Sequence, residues 1–383
     1  MRELILLGGA DGALTTVRAA RRLGVRTICV DVRRDAPAAA EADEFLPLST
    51  RDVDAVAAAL HGRRNVAAVL SPASDVNLPA QLALARRLGL PYGLSETAVR
   101  ASVDKAFFRH LCDDLGLPGP RHVSGPPGAV LAGARALRFP IIVKPTGQNG
   151  SRGVTPCAEP AELPAAVAVA AAYGPVIAEE YVPGAHVSIE AVVQEGRVAL
   201  LGIGRRTMTP PPRFITLAQE MAPGSGEPVR AVLDKICAEL GYRWGSLTAD
   251  AVVTEGGEVV LIEMGARLGG NGLGELLGLT HGLDALEICV RAALDDPVDL
   301  VPRARRWGAC HILAAPRSGR LVAVHGLDRL PAAEVVLAVR PGDLVGPYDQ
   351  AGAKLGYILL TADDEAGLAH ARTAVDALRV EVS

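Results

Sequence analysis

The sequence predicts an α/β protein: an open parallel sheet at the N-terminal end, then a larger, hairpin-rich α+β region. Two observations carry that expectation. The first 95 or so residues alternate short apolar strands with amphipathic helices, the pattern of a sheet covered by helices on both faces. From Pro140 the texture changes to β-branched runs. IEAVVQEGRVALLGIG and LTADAVVTEGGEVVLIEMGARLGG each join two strands through a Glu-Gly turn, a hairpin signal. A length of 383 residues suits two or three domains of about 100–200 residues each.

Taken in order, Leu4–Leu7 reads as a strand, the GGADG run as a turn, and Ala13–Leu23 as a helix with one apolar face. Val25–Val30 gives a second strand ending at Asp31. A helix at Val53–Leu60, a strand at Val66–Leu70 and a helix at Leu78–Leu88 complete the alternation. A second section begins near Val103 with the helix Lys105–Leu115, closed by GLPGP. The strands IIVKPTG and VIAEEYV then flank the Ala-rich helix Leu163–Ala172. From Gly308 onward the pattern is short strands and one terminal helix, Glu365–Leu378, with no internal repeat or low-complexity linker.

Composition narrows the class. Apolar residues make up 49% but aromatics only 3%, so the core is aliphatic and disorder is excluded. The net charge of -4, without a basic excess or interleaved aromatics, argues against a nucleic-acid partner. Six scattered cysteines with no CxxC pair read as reduced thiols of a cytoplasmic protein. The apolar run before Gly8 is too short for a signal-peptide core. No stretch approaches the about 18 apolar residues of a membrane span. One skew stands out: of 39 basic residues only Lys105, Lys144, Lys235 and Lys354 are lysines.

Three segments carry chemistry. Gly8, Gly9 and Gly12 lie between a strand and a helix, with Asp31 some 20 residues on. The spacing is GGxxG rather than GxGxxG, so a tight turn, an anionic substrate group on the helix N-terminus and a dinucleotide site all stay open. FPIIVKPTGQNGSRGV places Lys144 at the end of an apolar strand before Gly147, Gly150 and Gly153. That is a cation beside a flap whose free N–H groups can wrap phosphate oxygens, and it does not fit a P-loop. Asp250 and Glu263 lie in the two strands of one hairpin, where pairing brings two hard carboxylates together as in a Mg²⁺ site. Arg267 follows, suited to bidentate phosphate or carboxylate contact, and Gly269-Gly270 permits close backbone approach.

In this order the segments resemble the ATP-grasp superfamily of carboxylate–amine ligases. The resemblance runs through ASVDKAFFRHLCDDLGLPGP, the Lys144 strand and flap, AEEYVPGAHVSIE and IEMGARLGG. It implies an ATP-grasp fold: a Rossmann-like domain over residues 1–100, a lid region with the flap over 101–195, a core with the metal site over 196–305, and a small α+β subdomain over 306–383. It implies that ATP and Mg²⁺ are used, with Lys105 and Lys144 on phosphates and Gly150, Ser151 and Gly153 in the flap. Glu179, Glu180, Tyr181 and Val182 would border adenine and His186 the ribose. Asp250 and Glu263 would hold Mg²⁺, and Arg267 would contact phosphate and the reacting carboxylate. One departure is Gly265, where members often place an Asn metal ligand in ExNxR; Asn271 is a candidate replacement or substrate contact. The implied reaction phosphorylates a carboxylate from ATP and lets an amine displace phosphate under a closing lid spanning residues 120–195.

The run RPGDLVGPYDQAGAKLGYILLTADDEAGLAHA resembles the terminal subdomain of amino-acid ligases. Arg205, Arg206 and Arg213 of the Pro-rich loop Arg205–Gln219, with Gly269, Gly270 and Asn271, are candidate substrate contacts. The implied partners are a small carboxylate and an amine, with a homodimer possible. A purine-type or carboxylase-type enzyme and an inactive nucleotide-binding protein are the alternatives.

Overall fold

The computed structural model describes residues 1–210, 215–224, 226–331 and 333–383. The N-terminal alternation closes into a four-stranded parallel sheet, ordered Glu44–Leu46, Arg26–Val30, Glu3–Leu7, Val66–Leu70. Its two faces follow from the period-two alternation of a strand. Leu4 and Leu6 pack against Leu14 and Val17 of the helix Asp11–Arg22, while Ile5 and Leu7 pack against Val56 and Leu84 on the other side. Val290 and Leu294, far along the chain, share the first of these cores. The helix Ala285–Ala293 therefore ties the N-terminal sheet to the rest of the molecule.

A second sheet of four antiparallel strands spans His122–Gly125, Val176–Glu180, Ile141–Pro145 and Thr155–Cys157, in that order. The flap is the connection between its last two strands in this order. The helix Leu163–Ala171 closes its core through Leu163, Ala166 and Val167. The third sheet has eight strands and runs through the middle of the molecule. At its centre, Ala185–Gln194 pairs with both Arg197–Met208 and Trp244–Val253.

Two of the expected boundaries differ from these sheets. The expected lid region covers 101–195, yet Ala185–Gln194 lies in the large sheet. The helix Lys105–Asp114 also packs there, Phe108 and Leu111 lying in one core with Ile189 and Ala249. The expected small subdomain over 306–383 has a core of its own and a separate three-stranded sheet, while its strands Trp307–Leu313, Gly356–Ala362 and Ala333–Leu337 also extend the large sheet beyond Thr216–Met221. Unpaired edge N–H and C=O groups favour adding strands. Hydrophobic patterning identifies strands but not which edge receives them. Among the described residues no helix is long and apolar enough to cross a membrane.

Candidate active site

Three sheets converge on one cleft, and the half where the resemblance expects the nucleotide is built around a buried carboxylate. Lys144, near the end of Ile141–Pro145, places Nζ 2.5 Å from Glu179 Oε2. Arg109 Nε lies 3.0 Å from Glu179 Oε1 and its Nη2 donates to the Leu261 carbonyl at 2.8 Å. Burial alone would push the Glu179 carboxyl up; Lys144 and Arg109 overcome it and hold the group down at about 2. Glu180 points elsewhere, accepting the Arg138 N–H at 2.8 Å. Tyr181, Val182 and His186 line the cleft with Ile142 and Ile262. Burial, then Arg206, keeps the His186 imidazole below its usual pKa.

At the mid-point, the hairpin register sets Asp250 opposite Glu263. The register slips immediately afterwards, pairing Ala251 with Leu261. This bulge leaves Ile262 free to face the cleft. Lys105 opens its helix after Asp104, whose side chain caps Ala106 and Phe107. Its Nζ lies 3.1 Å from Glu263 Oε2 and donates to the Gln148 carbonyl of the flap at 2.6 Å. Arg206 Nη1 lies 2.5 Å from Asp250 Oδ2. Paired carboxylates at the wall of a cleft also lined by Lys105 and Arg206 fit a hard divalent cation, which takes one or two carboxylates and fills its shell with other oxygens.

Beyond that wall lies an adjoining pocket that shares Lys105, Gly150, Ser151, Arg206, Asp250 and Glu263 with the first. Arg267 grips Asp75 bidentately, Nε to Oδ1 at 2.7 Å and Nη2 to Oδ2 at 2.5 Å. Asn149 of the flap donates to the same Asp75 at 3.1 Å. Below, Glu190 is fully buried and accepts from Thr248 Oγ1 at 2.5 Å and Gly269 N–H at 3.0 Å. Burial raises its carboxyl to about 8 despite those donors and Arg267. Asn271 holds a left-handed backbone, φ 61°, and its side-chain oxygen accepts from Lys354 at 2.6 Å. Lys354 also pairs with Asp11 at 2.9 Å, linking the C-terminal strands, this pocket and the N-terminal helix.

The comparisons with known proteins agree with this architecture. Residues 137–275 match the ATP-grasp domain model and residues 311–383 the model of L-amino acid ligase C-terminal domain 2. D-alanine–D-alanine ligase of Halorhodospira halophila is 30% identical over 238 residues, 56% of this chain and 69% of that protein. The chain belongs to the ATP-grasp superfamily, among its carboxylate–amine ligases. Formate-dependent phosphoribosylglycinamide formyltransferase of Nitratidesulfovibrio vulgaris is 27% identical across 99% of this ATP-grasp chain and 97% of its own. The uncharacterized protein y4rH of Sinorhizobium fredii is 28% identical over 73% of the chain, which spans only 60% of that relative's length. In fold, the L-amino acid ligase from Bacillus licheniformis superimposes with a TM-score of 0.83 at 21% identity, covering 100% of this chain and 99% of that one.

Most residues expected at an ATP-grasp site line these two pockets: Lys105, Lys144, Gly150, Ser151, Glu179 to Val182, His186, Asp250, Glu263, Arg267 and Gly269 to Asn271. Two do not fit the expectation. Gly153 faces away; a Cβ there would meet the Tyr173 ring at 2.9 Å. Arg205 is exposed and pairs with Glu220 at 3.3 Å, because alternation along Arg197–Met208 sends it outward and its neighbour Arg206 inward. Arg213 lies outside the described residues. The supposed loop Arg205–Gln219 is largely a paired hairpin, Arg206 standing opposite Gln219.

The close approach at Gly269 is also different in kind. It serves Glu190, whose Oε1 would lie 1.9 Å from a Cβ, whereas nothing crowds Gly270. At the first Gly-rich turn, Gly9 N–H donates to Asp31 at 2.8 Å. An internal carboxylate thus takes the donor that a dinucleotide phosphate would need. Sequence reasoning missed Arg109, Asp75, Glu190 and Lys354. Arg109 was findable, one helical turn after Lys105; Asp75 gives no local signal.

Proposed function

We propose that this chain couples a small carboxylate, an amino acid foremost, to an amine at the expense of ATP, releasing ADP and phosphate. The observation that carries the reading is the shared wall. Lys105, Asp250, Glu263 and Arg206 border both pockets, so a phosphate lying in one meets a carboxylate lying in the other. Lys144 and Lys105 would hold nucleotide phosphates, and Arg267 the transferring phosphoryl group or the acceptor carboxylate. Transfer then needs positioning and charge neutralisation rather than a protein nucleophile. Mg²⁺ bound by Asp250 and Glu263 would neutralise phosphate charge. His186, Tyr181 and Val182 would take the nucleoside end.

Water competes with the amine for an acyl phosphate, so exclusion matters. The flap hangs from the lid sheet and is tethered at Gln148 by Lys105 and at Asn149 by Asp75, which supports lid closure over residues 120–182. The match of residues 311–383 to an L-amino acid ligase domain favours an amino acid as one substrate. The same reading places the enzyme in the cytoplasm, where its six buried thiols stay reduced. A homodimer belongs to it too and is checked by light scattering.

The test is ADP release over a panel of L-amino acids, alone and in pairs. Release requiring both a carboxylate and an amine supports the proposal. Release with formate or bicarbonate in place of an amino acid would move the assignment toward the formyltransferase-like relative. Tight ATP binding without turnover on any arm would leave a nucleotide-binding protein.

A further inference from the structure

Gly265 occupies the position where the ExNxR pattern carries its Asn, and the space beside it is not empty. A Cβ at residue 265 would lie 2.2 Å from Asp75 Oδ1 and 3.3 Å from Thr248 Cγ2. Asp75 comes from the N-terminal domain, 192 residues before Arg267. It opens a single short turn, Asp75–Asn77, after the strand Val66–Leu70. Its side chain is 8% exposed. Both of its oxygens are engaged, Oδ1 by Arg267 Nε and Oδ2 by Arg267 Nη2 and Asn149.

We propose that Asp75 takes the place of the side chain missing at Gly265 and is a positioning residue of the transfer step, orienting the Arg267 guanidinium and tethering the flap through Asn149. The glycine is the complement of the aspartate. Any side chain at 265 must push the carboxylate away, and a displaced carboxylate cannot keep both Arg267 bonds. A bidentate pair fixes the plane of the guanidinium as well as its distance, and a misaimed donor in phosphoryl transfer costs rate more than binding. Arg267 makes a third bond, to the Leu268 carbonyl at 2.8 Å. Among the described residues, that bond leaves the Asp75 pair as the hydrogen-bond contact that reaches outside its own loop. The N-terminal domain would thus contribute directly to the geometry of transfer, and flap closure would be coupled to the same carboxylate.

This inference rests on the reading of the cleft as a phosphoryl-transfer site, and the experiment separates the two. Wild-type ADP release on the amino-acid panel tests the reading alone. Given a turning-over wild type, Asp75→Ala, Asp75→Asn, Gly265→Ala and Asp75→Ala/Gly265→Ala are compared in full-length protein. Asp75→Asn keeps the volume and guards against a misfolded alanine variant.

Each single change is expected to lower kcat on the order of 100-fold with KM for ATP moving less than about three-fold. The double variant should be no slower than Asp75→Ala, because Gly265→Ala acts only through the carboxylate it displaces. Without turnover, trypsin should cleave after the exposed Arg152 faster in Asp75→Ala and Asp75→Asn than in wild type. Multiplicative losses in the double variant would overturn the proposal. So would a fall in Tm with kcat unchanged, the outcome of a merely structural contact.

Discussion

The two halves of the cleft are built on different principles. The nucleotide-facing half draws on neighbouring strands and one helix. Lys144 and Glu179 belong to paired strands of a single sheet, and Asp250 and Glu263 to a single hairpin. The acceptor-facing half is assembled across the whole chain: Asp75 reaches Arg267, and Lys354 joins Asp11 to Asn271. The first half takes its close pairs from secondary structure, where register sets which side chains meet, and Arg109 joins its two sheets by reaching Glu179 and the Leu261 carbonyl. The second holds its geometry only if three parts of the molecule dock correctly. On the proposed reading, the phosphate contacts therefore sit on paired strands. On the same reading, the acceptor contacts sit where distant parts of the chain meet.

The largest expected effect breaks the rigid half. Lys144→Ala leaves Glu179 fully buried with Arg109 alone. Removing one partner of a buried pair costs about 3–5 kcal/mol. ADP formation should fall below detection and the urea midpoint should drop. Near-normal turnover would show that the buried pair is structural only. The next test addresses the assembled half. Lys354→Met keeps the aliphatic stem but cuts the link between Asp11 and Asn271. KM for the acceptor should rise about ten-fold, the cost of one charge-assisted hydrogen bond, while KM for ATP stays within two-fold. An equal rise in both constants would dissolve the distinction between the halves.

A third test uses pH. The Glu190 carboxyl sits at about 8 in the fold against 4.5 in its absence. The folded state then holds more protons between those values, and stability falls as pH rises through that window, by at most about 1.4 kcal/mol per pH unit. Glu190→Gln mimics the protonated form, so its Tm should change less than that of the wild type between pH 5 and 8. An unchanged slope would mean that Glu190 is ionised throughout. The smallest effect is expected at Arg205, whose exposed pair with Glu220 contributes about 0–1 kcal/mol. Arg205→Ala should leave kcat within two-fold, whereas Arg206→Ala, which uncovers Asp250, should not.

Much of the nucleotide half was legible beforehand. Lys105, Lys144, Asp250 and Glu263 sit in short-range patterns, a helix start, a strand end and a hairpin, and a hairpin turn nearly fixes its own register. The sequence offers Arg205 and Arg206 alike, because only strand phase separates them and a one-residue shift sends a side chain to the opposite face. The eight-stranded continuity of the large sheet was hidden because edge pairing leaves no mark on either strand's composition.

The lysines show where the division falls. The sequence alone singles out four lysines among 35 arginines, and the ATP-grasp resemblance gives Lys105 and Lys144 a phosphate role. Lys235 lies exposed on the helix Glu227–Glu239, and nothing in the structure explains it. Lys354 has a partner on the N-terminal helix and another beside the acceptor pocket, and no local pattern announces either. The same holds for Gly265. As sequence it is a missing ligand; in the fold it is the room that Asp75 fills. Alternation, capping and turn chemistry act over a few residues, so a single chain segment reveals them. Charge pairing between segments far apart depends on how whole sheets dock, and only the folded molecule decides that.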